Sequence, residues 1–293
     1  MESESLTLAD GRTLSYAIYG SPTPTTTIFY FHAFPSSRLE GRLFHDEANK
    51  LGARVIVPDR PGLGKSTFQP NRTLLDWPTD VLALADSLDI ERFYVAGMSG
   101  GAPYALACVY AIPKARLAGA AVVGGLYPVS LGTAGMLMAA RASIWLGARA
   151  PGVLGFLLDW TMGKAARDAD PKVFEEIVMK EVQNRPEVDR DVLLEGKNKE
   201  AMVEATRESL MQGAQGAAWE AKINGSAWGF ELGELGDTPL ALWHGDQDVN
   251  TPPAMARKAK DMMPGAQLHM KKGEGHISLV KFKEDILRDL IKL

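Results

Sequence analysis

Short, wholly apolar runs alternate with helical stretches along this chain, and that rhythm constrains its fold more than any other feature. Ile28-Phe29-Tyr30-Phe31, Arg54 to Val57, Phe93 to Ala96 and Ala118 to Val123 lack the polar alternation of a half-exposed strand. They read as strands buried on both faces. Helical stretches at about Arg38 to Leu51, Thr79 to Leu88 and Gly100 to Ala111 separate them. This is the spacing of βαβ units, which implies a parallel sheet with right-handed crossovers. Ahead of them, Ser5 to Leu8 and Thr13 to Tyr19 flank Asp10-Gly11 and predict a hairpin.

After Val123 the rhythm stops, to resume only at Leu240 to Trp243. Then come a helix over Pro253 to Met262, a strand over Gln267 to Met270 and a last helix from Ile277. A crossover needs only about a dozen residues, so the long gap predicts an insertion. Asp170-Pro171, an N-cap residue followed by proline, opens a helix to about Val182 there. Asn198 to Met211 is a second amphipathic stretch. The expected organisation is α/β, a mostly parallel central sheet flanked by helices. Residues 1–125 and 237–293 form its core, and residues 126–236 a helical cap insertion. Most of the insertion's large apolar residues (Met136, Met138, Trp145, Leu146, Phe156, Leu157, Trp160) are expected to pack inside it.

Composition narrows the partners. A net charge of −4, with no basic stripe, argues against nucleic acid. The one cysteine, Cys108, rules out an internal disulfide and falls in an apolar helical stretch that predicts a buried thiol. Leu117 to Ala140 is uncharged and long enough to cross a bilayer, but Pro128 and several glycines divide it into a strand and a following loop or helix. The start, Met1-Glu2-Ser3-Glu4, has no basic-then-apolar signal, so a cytoplasmic setting is expected. The oligomeric state leaves no mark in the sequence.

Gly97-Met98-Ser99-Gly100-Gly101 matches G-x-S-x-G. Chance alone would supply such a match in about one chain of this length in seven. Here, however, the motif follows a buried strand and opens a helix, the setting of a nucleophile elbow, where a tight turn lifts the hydroxyl above the sheet. The helix start behind Ser99 offers unpaired N–H groups to a developing oxyanion. A serine nucleophile needs a base, expected well after it in the chain. His244 ends a strand and His269 lies inside one, so both read as structural. His276, in the glycine-flanked loop Gly273-Glu274-Gly275-His276 after the last strand, is the candidate base. The acid should follow the strand Leu240 to Trp243, where Asp246 and Asp248 both qualify. Spacing does not separate them. A metal reading of this acidic pair lacks further ligands. Gly62-Leu63-Gly64-Lys65-Ser66 invites a phosphate-loop reading, which fails because Asp59 stands where glycine is needed and no helix follows.

Taken together, Phe31-His32-Ala33-Phe34-Pro35, Asp59 to Ser66, Gly97 to Gly101, Gly245 to Asp248 and Gly273 to His276 resemble the α/β-hydrolase superfamily. The likeness is closest to its small, capped serine hydrolases. The resemblance implies Asp248 as the acid, with Asp246 bracing the loop. It also implies an oxyanion hole from the N–H groups of Phe34 and Gly100. One departure is Ala33, where the family usually has glycine; the backbone there must suit an alanine. The implied activity is hydrolysis of a carboxylic ester or lactone of a small, largely apolar molecule, with no metal or organic cofactor. The same triad could instead cleave a carbon–carbon bond or act as a lyase, and the same fold could serve as a low-turnover small-molecule receptor.

Overall fold

The computed structural model describes all 293 residues. The strands are β1 (Glu4–Thr7), β2 (Thr13–Gly20), β3 (Thr26–Phe31), β4 (Ala53–Pro58), β5 (Phe93–Met98), β6 (Leu117–Val123), β7 (Leu240–Gly245) and β8 (Gln267–Lys271). They form one sheet in the order β1-β2-β4-β3-β5-β6-β7-β8. The hairpin β1–β2 and the β2–β4 pair are antiparallel, and every other pair is parallel. This is the mostly parallel α/β sheet that the apolar runs predict.

Side-chain alternation explains why those runs are apolar on both faces, with Arg54 at the partly exposed start of β4 the exception. Phe29 and Phe31 of β3 enter one core together with α2 (Trp77–Ser87) and α3 (Ala102–Ala111). Ile28 and Tyr30 point to the opposite face and enter a second core with α1 (His45–Lys50) and the C-terminal helix Lys283–Leu290. Neither face meets water, so neither admits polar residues. Cys108 is fully buried within α3, where burial pushes its thiol well up.

Between β6 and β7 the chain is helical: α4 (Met138–Arg149), α5 (Pro151–Leu158), α6 (Lys164–Ala166), α7 (Pro171–Val182), α8 (Glu187–Leu194), α9 (Gly196–Ser209) and α10 (Gln215–Asn224). A single π turn, Asp159–Gly163, joins α5 to α6. Two of these helices, α7 and α9, match the predicted ones, and Asp170 caps the first by accepting from Lys172 N at 3.0 Å. The helices α11 (Pro253–Met262) and α12 (Lys283–Leu290) complete the chain. No helix is long and apolar enough to cross a membrane.

Three expectations need correction. The stretch from Arg38 is a 3-10 helix to Phe44 before α1 begins, and the stretch from Ile277 is likewise 3-10 to Phe282 before α12. In the first, Gly41 is pressed so close to Tyr19 and Val57 that an added Cβ would lie 2.5 Å from each. The third concerns the apolar residues of the insertion. Met136 is buried and Leu146 half-buried, but Met138, Trp145, Phe156, Leu157 and Trp160 are 86, 55, 70, 41 and 61% exposed. They lie on the exposed faces of α4, α5 and the π turn; the inner faces of α4 and α5 meet α10.

Candidate active site

The strand register brings the site together. Phe31 of β3 pairs with Gly97 of β5, Met98 with Val123 of β6, Val123 with Trp243 of β7, and Gly245 with Lys271 of β8. Hence Phe34, Ser99, Gly124, Asp248 and His276 all leave the sheet at its C-terminal edge. Chain order runs outward in opposite directions from β3 and β5, so this is also the topological switch point where open α/β sheets hold ligands.

Ser99 sits on the turn from β5 into α3 with φ +54°. That left-handed conformation costs a non-glycine residue about 1–2 kcal/mol and is held by close packing on either side. A Cβ on Gly97 would lie 2.4 Å from Gly101 O, and one on Gly101 would lie 2.1 Å from Phe31 O. The motif needs its glycines because backbone meets backbone there. Ser99 is half-buried, and its carbonyl accepts from Leu126 N at 3.0 Å.

His276 and Asp248 are both buried, and His276 Nδ1 lies 2.7 Å from Asp248 Oδ2. The carboxylate is held from every side. Its Oδ1 accepts from Asn250 N at 2.8 Å and Thr251 N at 2.9 Å. The Thr251 hydroxyl lies 2.9 Å from both Asp248 Oδ2 and Gly124 O, with one proton between them. Burial works against the Asp248 charge, but His276, His244 and the Thr251 N–H outweigh it, so the group stays below the usual aspartate range. An ionised Asp248 in turn selects the His276 tautomer with the proton on Nδ1, leaving the Nε2 lone pair free. The hydrogen bonds of His276 go to Asp248 and Thr251 from the ring and to Asp189 from the backbone; none joins Nε2 to Ser99 Oγ. Asp246, the other acid that spacing allowed, accepts from Gly273 N at 2.8 Å and braces the loop that carries His276.

Phe34 and Gly100 are neighbours: a Cβ on Gly100 would lie 2.5 Å from Phe34 Cβ and 3.5 Å from Phe34 N. The residues leading to Phe34 are fixed from both sides. Ala33 N donates to the Glu40 carboxylate, 3.1 Å from each oxygen. Arg60 donates to the carbonyls of His32 at 2.5 Å and Ala33 at 3.0 Å. Ala33 is absent from the left-handed positions, so it adopts a backbone conformation open to alanine. Arg60 is itself fully buried and paired with the equally buried Glu220 of α10, with Nη2 2.8 Å from Oε2. Asp59, the residue that defeats the phosphate-loop reading, accepts from Arg38 N and Lys65 N at 2.6 and 3.0 Å and thus shapes the glycine turn.

Several contributors escaped the sequence. Thr251, Asp189, Glu40 and Glu220 had no motif to mark them. His244, at the end of β7, is buried; its Nε2 donates to Thr251 O at 2.7 Å and lies 3.5 Å from Asp248 Oδ2, so it braces the aspartate loop. Its Nδ1 is buried without a partner. No group of three or more His, Cys, Asp and Glu side chains is placed to hold a metal ion.

The buried histidines have a consequence for stability. Burial holds His244 below the ordinary value of 6.5 despite the pull of Asp248, and burial with Arg60 nearby holds His32 well below it. In the unfolded chain both take up a proton below 6.5, whereas in the folded chain they do not. The unfolded state then binds more protons, so stability falls as pH drops from 6.5 toward the depressed folded values. Each histidine contributes up to about 1.4 kcal/mol per pH unit in that window. Denaturant midpoints from about pH 7 to pH 5 should show this slope, and His244→Gln should reduce it by that amount. An identical slope in the variant would mean that His244 protonates within the fold.

Comparison with known proteins agrees with this architecture. The model of the alpha/beta hydrolase family matches residues 28–284. An uncharacterised hydrolase, YcgS, of Bacillus subtilis (strain 168) is 31% identical over 94 residues, which is 32% of each chain. The alignment thus spans about a third of that curated relative. A bromoperoxidase from Bacillus anthracis superposes over 100% of both chains with a TM-score of 0.69 at 16% identity. An esterase from Rhodococcus sp. ECU1013 does so over 100% of both chains with a TM-score of 0.67 at 20% identity. At such identities the superpositions speak for the fold alone. The family match covers most of the chain, and with it the elbow, the aspartate loop after β7 and the histidine loop: this chain belongs to the alpha/beta hydrolase family.

Proposed function

We propose that this protein is a serine hydrolase cleaving a carboxylic ester or lactone of a small, largely apolar molecule through an acyl-enzyme on Ser99. The observation that carries this reading is Ser99 at φ +54° on the elbow, at the same sheet edge as the 2.7 Å Asp248–His276 pair. His276 Nε2 takes the proton of Ser99 Oγ as Oγ bonds to the acyl carbon. The carbonyl electron pair moves to oxygen, facing the N–H groups of Phe34 and Gly100. When it returns, the bond to the leaving oxygen breaks and that oxygen takes the proton from His276. Water then attacks the acyl-enzyme, giving its proton to His276; the carboxylic acid leaves and Ser99 regains its hydrogen.

One feature favours an apolar substrate. Phe34 packs against the cluster Leu154, Ala218 and Ala221, against which Leu146 and Leu158 also pack, so the Phe34 side of Ser99 is walled by hydrocarbon. Residues 126–236, which supply that wall, act as the cap. The scheme needs no cofactor, and a reducing, cytoplasmic setting suits the single buried thiol.

A chain-length series of 4-nitrophenyl esters, from acetate to decanoate, together with an organophosphonate probe, tests this. Hydrolysis is expected with an optimum that sizes the pocket, and mass spectrometry should find the phosphonate on Ser99. Hydrolysis without an adduct on Ser99, or a clear preference for highly charged esters, would sink the reading.

A further inference from the structure

The loop carrying His276 is held from a part of the chain that contains none of the residues proposed to react. Asp189, in α8 of the insertion, is fully buried. Its Oδ2 accepts from His276 N at 3.1 Å and its Oδ1 from Ser278 N at 2.9 Å. No lysine, arginine or histidine pairs with it. A carboxylate withdrawn from water is costly unless fully hydrogen-bonded, and here the backbone on either side of Ile277 supplies those bonds.

The loop is shaped to admit this carboxylate. A Cβ on Gly275 would lie 2.5 Å from Asp189 Oδ1, and on the opposite side a Cβ on Gly245 would lie 2.2 Å from Gly275 O. The segment Glu274-Gly275-His276 is therefore pinched between the end of β7 and α8. Within it, Gly275 N donates to Ser278 Oγ at 2.8 Å, and Gln247 N donates to Glu274 O at 2.9 Å. Asp248 holds the imidazole, while Asp189 holds the backbone from which the imidazole hangs.

We infer that Asp189 is a positioning residue for the reaction: by clamping the His276 backbone it sets where the base stands, and it makes that placement depend on α8 being docked against the core. This inference rests on the reading of His276 as the base. It gives the insertion a role beyond roofing the site, because undocking α8 releases the base as well as opening the roof. A misplacement of about 1 Å at a reacting group costs about 100-fold in rate.

The test compares the native chain with Asp189→Asn and Asp189→Ala, assaying 4-nitrophenyl butyrate and recording 15N-histidine NMR, with His276→Gln to assign the His276 ring. Asn keeps the shape and one acceptor but turns an NH2 group toward a backbone N–H, so it serves if Ala fails to fold. For Asp189→Asn, kcat should fall about tenfold or more with KM changed less than about threefold, and further for Ala. The ring nitrogens of His276 should move from the fixed Nδ1–H tautomer toward averaged shifts. Loss of stability with kcat and the His276 shifts unchanged would overturn the inference and leave Asp189 a purely structural contact. If the native chain shows no Ser99-dependent hydrolysis, the serine-hydrolase reading fails, and the NMR comparison still decides whether Asp189 places the His276 ring.

Discussion

Replacing Ser99 by alanine is expected to lower turnover of 4-nitrophenyl esters by about 10⁶-fold, the cost of losing the nucleophile in a comparable serine triad. The loss is large because His276 and Asp248 have no other group to activate. Without Oγ, proton transfer at Nε2 leads nowhere, and only the oxyanion donors and binding can still act, with a residual effect of about 10³–10⁴ over water. Stability should hold or rise slightly. The φ of +54° at position 99 is unfavourable for serine and alanine alike, and the half-buried hydroxyl has no protein partner to lose in the change. Steady-state assays with thermal melts separate the two effects. Equal activity in both proteins would remove Ser99 from the chemistry and leave the elbow as a turn.

The second large effect concerns stability, and it lies in the contact between α10 and the core. Glu220 is fully buried and pairs with Arg60, also fully buried, while Arg72 Nη2 stands 3.4 Å away. Arg60 and Arg72 further share the ring of Tyr104, with their guanidinium carbons 4.7 and 5.6 Å from its centre. Glu220→Ala would leave two buried guanidinium groups without a carboxylate beside them. Breaking one side of a buried pair costs about 3–5 kcal/mol, a large share of a typical stability of about 5–15 kcal/mol. At about 2–4 °C per kcal/mol, the melting temperature should drop by about 10 °C. Activity should fall too, since Arg60 bonds the His32 and Ala33 carbonyls that lead into Phe34. Replacing both partners, Arg60→Met with Glu220→Leu, should recover only part of the stability: an apolar pair can match a buried ion pair, but Arg72 still loses its carboxylate and the His32 and Ala33 carbonyls lose their donor. The same double variant should not recover activity, as the carbonyls stay unheld. A loss below about 1 kcal/mol in Glu220→Ala would show that α10 can lift away and hydrate the arginines.

Asp189 and Glu220 make a shared point about the insertion. Each is a buried carboxylate on a helix between β6 and β7; Asp189 accepts directly from the histidine loop, and Glu220 reaches the Phe34 loop through Arg60. The helices between β6 and β7 are thus bonded into the candidate machinery at two places, on top of the hydrocarbon wall they set against Phe34. An insertion attached in this way cannot move without disturbing the His276 backbone or the contacts of Arg60 with the His32 and Ala33 carbonyls.

Local chemistry made the sheet legible. A strand buried on both faces must be apolar at every position, so β3, β4, β5 and β6 stood out whatever surrounded them. The elbow was legible because its glycines and serine sit within five consecutive residues at a strand-to-helix turn, although Gly100 and Gly101 answer the distant Phe34 and Phe31. The helices α4 and α5 were not, since their outer faces carry Trp145 and Phe156 in the open and their apolar residues mark no single buried stripe.

What the sequence by itself determined is the architecture; it also put forward Ser99 as the candidate nucleophile, His276 as the candidate base and two aspartates as candidates for the acid. Each of these rests on residues within a few positions of one another, where spacing carries geometry. Tertiary structure alone decided that Asp248 faces His276 while Asp246 faces Gly273. It alone brought Asp189 across 87 residues to His276 and Glu220 across 160 to Arg60. Those pairings depend on how the inserted helices dock on the sheet edge, and a single buried carboxylate in an otherwise ordinary helix gives no local sign of where it will point.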